Sequence, residues 1–92
     1  MATVAFARHL YEFFPALKGA EVRIDALTVA ELVRKLDVKY PGIAFYIADE
    51  RGGLRQHVNI FIEEELVRDR RTLSDHLTPD SKVYVMQALS GG

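Results

Sequence analysis

Few residues of this 92-residue chain are of types that do chemistry, and most of those stand in the wrong company. There is no cysteine, hence no disulfide, no thiolate nucleophile and no thiolate metal ligand. His9, His57 and His76 are far apart in sequence and lack metal-ligand spacing, so each reads as a surface or half-buried polar group. Ser74, Asp75 and His76 have triad chemistry only as chain neighbours, whereas a working triad is assembled in space. The run Glu63-Glu64-Glu65 lacks EF-hand spacing, and consecutive side chains in a tight turn do not converge on one ion, so it reads as a solvated acidic turn. Gly52-Gly53 lacks the Lys and Ser/Thr of a P-loop and the third glycine of a dinucleotide site, which leaves a flexible loop tip. The segment ALSGG, Ala88 to Gly92, is different. Glycine gives up the most conformational freedom on ordering, so a pair of them after a strand makes poor structure. Either they fray, as chain ends do, or the carboxylate of Gly92 is itself the reacting group.

The elements around that segment follow from periodicity. Thr3 to Arg8 reads as a strand with Val4 and Phe6 on one face, and Glu21 to Ala26 alternates with Val22, Ile24 and Ala26 on one side. The two predict an antiparallel hairpin across Pro15 and Gly19, with an irregular apolar run at His9 to Phe14. Thr28-Val29-Ala30-Glu31 is a capping box, and Val29, Leu32, Val33, Leu36 and Tyr40 form one apolar stripe at helical spacing. Pro41-Gly42 ends that helix, and Ile43 to Ile47 suits a short second helical turn. Ala48 to Gly53 reads as a loop, His57 to Ile62 as a strand, Leu66-Val67 as a short return strand, and Thr72 to Leu77 as a brief helical turn. Thr78-Pro79-Asp80-Ser81 predicts a β-turn before a last strand, Lys82 to Ala88. One helix cannot wind a parallel sheet on both faces, so it must cover one face of a mixed sheet. The expected fold is α+β: a ubiquitin-like β-grasp of four to five strands with one main helix, first and last strands parallel in the middle.

Composition restricts the function classes. The chain is 49% hydrophobic and 27% charged, which suits one folded domain with one core. A net charge of −1 gives no nucleic-acid signal. No apolar run approaches the roughly 20 residues of a membrane span, and MATVAFARHL lacks the features of a signal peptide. A soluble cytoplasmic domain with no nucleic-acid or membrane partner is expected. If Val58, Ile60, Ile62, Val83 and Val85 face the helix, then Phe61, Tyr84 and Met86 share the opposite face, which meets water in a sheet covered on one side. An apolar cluster there marks a protein interface, unless a loop such as Ala48 to Gln56 covers it.

The element order with its closing Gly91-Gly92 resembles the ThiS/MoaD family of ubiquitin-like sulfur carriers. The resemblance runs through VAFAR, TVAELVRKLDVKYPG, VNIFIEEELV and DSKVYVMQALSGG in that order. It implies that an ATP-dependent activating enzyme adenylates the Gly92 carboxylate, that a sulfur donor converts the adenylate to a thiocarboxylate, and that a downstream enzyme accepts the sulfur. The chain would then be a protein cosubstrate and not an enzyme. It would bind no cofactor or metal itself, the ATP being used by its partner. Gly91 and Gly92 would thread a narrow channel, with Leu89 to Gly92 reaching at most about 14 Å from the strand. Residues 1–88 would form the domain and 89–92 a flexible tail. Phe61, Tyr84, Met86, Ala88, Leu89 and Ser90 would meet the partner. The length of Ile43 to Gln56 and the HVNIFI strand favour the carriers of cysteine or other thio-metabolite synthesis. The alternatives are the small subunit of molybdopterin synthase, a ubiquitin-like modifier forming isopeptides through Gly92, and a plain β-grasp binding module.

Overall fold

The computed structural model describes residues 1–87; Ala88 to Gly92 lie outside the described residues. In chain order the elements are β1 (Ala2–Phe6), α1 (Leu10–Phe13), a 3₁₀ turn at Pro15–Leu17, β2 (Val22–Ile24), α2 (Val29–Lys39), α3 (Ile43–Ile47), β3 (Val58–Ile62), β4 (Glu65–Leu66) and β5 (Lys82–Gln87). The sheet runs β2-β1-β5-β3-β4. Among the described residues only β1 and β5 pair in parallel, with Val4 opposite Val83 and Phe6 opposite Val85; the other neighbours are antiparallel. This is the mixed sheet of a β-grasp.

Strand alternation decides what each face carries. Ala2, Val4 and Phe6 of β1, Val22 and Ile24 of β2, Val58 and Ile60 of β3, and Val83 and Val85 of β5 are all buried beneath the helices. From the other side α2 contributes Val29, Leu32, Val33 and Leu36, with Leu32 and Leu36 fully buried. Each such side chain is worth about 1.5–3 kcal/mol relative to exposure, so this stripe, not intrinsic propensity, holds an 11-residue helix in place. The helix starts where the capping box places it. The Glu31 N–H donates to Thr28 Oγ1 at 3.2 Å, and Glu31 Oε1 reaches back to accept from the N–H of Leu27 at 2.7 Å. Gly42 ends the connection to α3 with φ of 99°, a left-handed conformation that a side chain resists. The Asp37 carboxylate accepts from the N–H groups of Gly42 and Ala44, locking α3 against the end of α2.

β1 and β2 pair antiparallel as expected, and their connection holds α1 and the 3₁₀ turn, whose Leu10 and Leu17 enter the core. Two other sequence expectations change. Residues 72–77 are not helical. Asp69 and Asp75 take the local N–H groups onto their side chains, Leu73 sits at φ of 53°, and His76 bridges to Thr28 in extended form. That loop then caps α2, since Val29 and Ala30 donate their N–H groups to the carbonyls of Asp75 and Leu73. Gly52-Gly53 is a pinned turn and not a loose tip: Asp49 Oδ1 accepts from Arg51 and Gly53, and a Cβ on Gly53 would stand 3.3 Å from the Arg71 carbonyl oxygen. Among the described residues no helix is long and apolar enough to cross a membrane.

Candidate functional site at the end of the central strand

β5 is the central strand, hydrogen-bonded to β1 on one side and β3 on the other, and Gln87 is its last described residue. What surrounds that end is therefore what a partner of the following segment meets first. Two surfaces flank it. On the open face of the sheet Phe61 stands directly opposite Tyr84, and Asn59 opposite Met86. Tyr84 is 39% exposed, while Phe61 and Met86 are half-buried. Directly opposed side chains on one face lie close enough to cover each other, which accounts for the partial burial of Phe61 beside Tyr84. At the Met86 end the face is polar. Arg70 Nη1 donates to Asn59 Oδ1, and its Nη2 donates to the carbonyls of Arg55 and Val58, all at 3.0 Å. The expected cluster Phe61, Tyr84 and Met86 is thus brought together on one face, bordered by an arginine that alternation could not place there. Gly91, Gly92, Ala88, Leu89 and Ser90 lie outside the described residues.

The second surface is on the helix side, and the sequence reading did not single it out. α1 and α3 bring Phe13, Phe14, Phe45 and Tyr46 around a groove whose wall includes Gln87. The Tyr46 ring lies 5.4 Å from that of Phe13 and 5.9 Å, edge-on, from that of Phe14. Its hydroxyl donates to Gln87 Oε1 at 2.5 Å, so α3 is tied to the last described residue of β5. Burial, helped by the nearby Glu12 carboxylate, raises the Tyr46 pKa above that of an ordinary tyrosine, which keeps the phenol a donor. Phe13 and Phe45 are 59% and 60% exposed, an unusual position for large rings on a small domain. Arg55 lies over the Phe45 ring at 4.7 Å, and its Nε donates to the Phe45 carbonyl at 2.6 Å. The available sequence signal was the density of aromatics in two one-turn helices, EFF and AFY, too short for periodicity to assign a face.

The remaining chemistry-bearing residues are structural. Ser74 Oγ donates to Asp69 Oδ2 at 2.6 Å, away from any serine–histidine pairing. Thr72 Oγ1 and the backbone N–H groups of Thr72 and Arg71 also donate to Asp69. Those bonds, Ser74's first, hold the Asp69 carboxyl well below the usual carboxylate range. Glu63 bends the chain at φ of 59°, and its Oε1 accepts from the N–H of Lys82, consistent with an acidic turn. His57 borders the aromatic groove and His76 the α2 cap. Among the described residues no three His, Cys, Asp or Glu side chains are grouped to hold a metal ion.

The mixed sheet in the order β2-β1-β5-β3-β4 with α2 packed on one face is a ubiquitin-like β-grasp. The chain belongs to the ThiS family, whose model matches residues 5–92. No curated protein sequence matches it. Its fold is similar to that of a chain in the Amycolatopsis orientalis BexX/CysO complex, with a TM-score of 0.85, 21% identity and full coverage of both chains. It is also similar to Mycobacterium tuberculosis CysO, with a TM-score of 0.82 and 25% identity over 97% of this chain and 100% of that one. The small archaeal modifier protein 1 of Methanosarcina acetivorans aligns with a TM-score of 0.74 and 23% identity, covering 99% of this chain and 95% of that one.

Proposed function

We propose that this chain is a sulfur carrier whose reacting group is the carboxylate of Gly92. The observation that carries the reading is the family match, which runs through Gly92, on a fold whose central strand leads directly into that segment. In the proposed reaction a Gly92 carboxylate oxygen attacks the α-phosphorus of ATP bound to an adenylating enzyme. The α–β anhydride bond breaks, pyrophosphate leaves, and an acyl-adenylate forms. Hydrosulfide from a sulfur donor then attacks the acyl carbon, AMP departs, and a thiocarboxylate remains for an accepting enzyme. The chain supplies position and not catalysis. Glycine has no Cβ, so Gly91 and Gly92 fit a narrow channel, and approach in line with the phosphate is gained by holding the fold outside it. Phe61, Tyr84 and Met86 are the docking surface for the adenylating enzyme in this reading, with Ala88, Leu89 and Ser90 spanning from strand to active site. The sulfur goes to cysteine or another thio-metabolite rather than to molybdopterin.

The test is mass spectrometry of the chain after incubation with ATP, sulfide and the adenylating enzyme encoded in the same genome. The intact chain should gain the mass of one oxygen-to-sulfur exchange at Gly92. A chain lacking Gly92 should gain nothing while keeping its thermal midpoint, because chain ends contribute little to stability. Sulfur uptake without Gly92 would end the carrier reading. A second reading, protein modification, is favoured by the likeness to small archaeal modifier protein 1; with an acceptor protein in place of sulfide, a lysine amine would displace AMP from the acyl-adenylate and leave an isopeptide-linked product.

A further inference from the structure

The aromatic groove between α1 and α3 has no part in the reaction just described, yet it opens beside the same strand end. We propose that it receives an apolar side chain of the adenylating protein, and that a carboxylate on the same segment of that protein pairs with Arg55. The proposal rests on the carrier reading and adds a second anchor to it.

Three observations lead to this occupant. The first is place. Gln87 is both the last described residue of β5 and a wall of the groove, and the five residues after it reach at most about 17 Å. A stable interface covers roughly 800 Å² on each partner, a patch about 16 Å in radius, so a partner centred on that exit extends over the groove. The second is exposure. Phe13 and Phe45 present most of their ring surface to solvent, although α1 and α3 already bury Leu10, Ile43 and Ile47 in the core. Their rings are not needed beneath the sheet, and exposed aromatic surface of this kind is what interface centres use.

The third is charge. The ionisable side chains that line the groove include Arg55 and His57 but no Asp or Glu; Glu12, outside the lining, stands near Tyr46. Arg55 is absent from the ion pairs of the described residues, which join Arg23 to Glu21 and Arg34 and Lys35 to Glu31. Its Nε is occupied by the Phe45 carbonyl, and the Phe45 ring holds the guanidinium plane in place. The terminal nitrogens, with no hydrogen bond to another described residue, are thereby preorganised to take a carboxylate. The complementary surface is an apolar tip flanked by an acid.

The experiment is ATP–pyrophosphate exchange by the adenylating enzyme of the same genome, with the full chain as the varied substrate. Phe45→Asp and Arg55→Glu should each raise the KM for the chain by about tenfold or more and leave kcat within roughly threefold, because they touch docking and not the reacting atoms. Arg55→Lys should recover part of the loss. Thermal midpoints should stay near that of the parent chain; if Phe45→Asp unfolds, Phe13→Ser, at an equally exposed ring, takes its place. A KM within about twofold of the parent for both the ring and the Arg55 variants overturns the groove proposal while exchange by the parent chain leaves the adenylation step of the carrier reading standing. No exchange by the parent chain defeats the carrier reading, and the groove proposal with it.

Discussion

The two surfaces beside the end of β5 are built by different means. The open face is made by one sheet, and its residues are placed by strand alternation: Phe61, Tyr84 and Met86 follow from the register of β3 and β5 alone. The groove on the other side is made by two short helices from separate parts of the chain, α1 and α3, which meet only because Leu10, Ile43 and Ile47 are drawn into one core. The open face is thus as stiff as its hydrogen-bond ladder. The groove depends on tertiary packing and on single ties such as Tyr46 to Gln87. A surface of the first kind tolerates changes in the helices; a surface of the second kind does not.

The sharpest way to break that contrast is to weaken the layer beneath both. Leu36 is fully buried in α2, and Leu36→Ala should cost about 2–5 kcal/mol in chemical unfolding. A loss under about 1 kcal/mol would mean that α2 does not bear on the sheet as described. Next come Phe61→Asp and Met86→Asp, which place a charge in the open face. Each should weaken binding to the proposed adenylating enzyme by about 2 kcal/mol or more with the fold retained. Titration calorimetry beside a thermal melt separates the outcomes: normal binding by a folded variant removes that residue from the docking face, and unfolding shows that its burial is structural. The smallest effect lies away from both surfaces, at Asp69. Its folded-state pKa is depressed below the ordinary value of 3.8, so its contribution is present at neutral pH and is lost as pH falls below about 4. Melts of Asp69→Asn from pH 7 down to about pH 2.5 should therefore depend less on acid than those of the parent; parallel curves would show that its hydrogen bonds do not stabilise the fold.

Legibility in the sequence followed the range of the interactions. The α2 start was readable because Thr28 and Glu31 act over three residues. The faces of β3 and β5 were readable because period two repeats along each strand, and the parallel pairing of β1 with β5 followed from having one main helix to cover the sheet. Thr72 to Leu77 is not the helical turn that the sequence suggests, because the deciding contacts are the grip of Asp69 and Asp75 on backbone N–H groups and the bridge from His76 to distant Thr28. Phe13 and Phe45 were passed over for the same reason: a single helical turn has no period to read, and the groove exists only once α1 and α3 are neighbours. Gly91 and Gly92 were singled out from residue type and resemblance.

The position of β5 also dictates how the molecule comes into being. A ribosome makes β1 to β4 before β5, yet β5 lies between β1 and β3. Until it emerges, β1 with β2 and β3 with β4 are two fragments, each with a bare inner edge of unpaired N–H and C=O groups. The long-range β1–β5 pairing must close nearly the whole chain into a loop before it yields any stabilisation. The strand that leads into the proposed reacting segment is therefore the one whose insertion completes the sheet. A molecule in which β5 has not yet inserted lacks the assembled surfaces on both flanks, so the same topology that presents the segment withholds it from partners until folding is done.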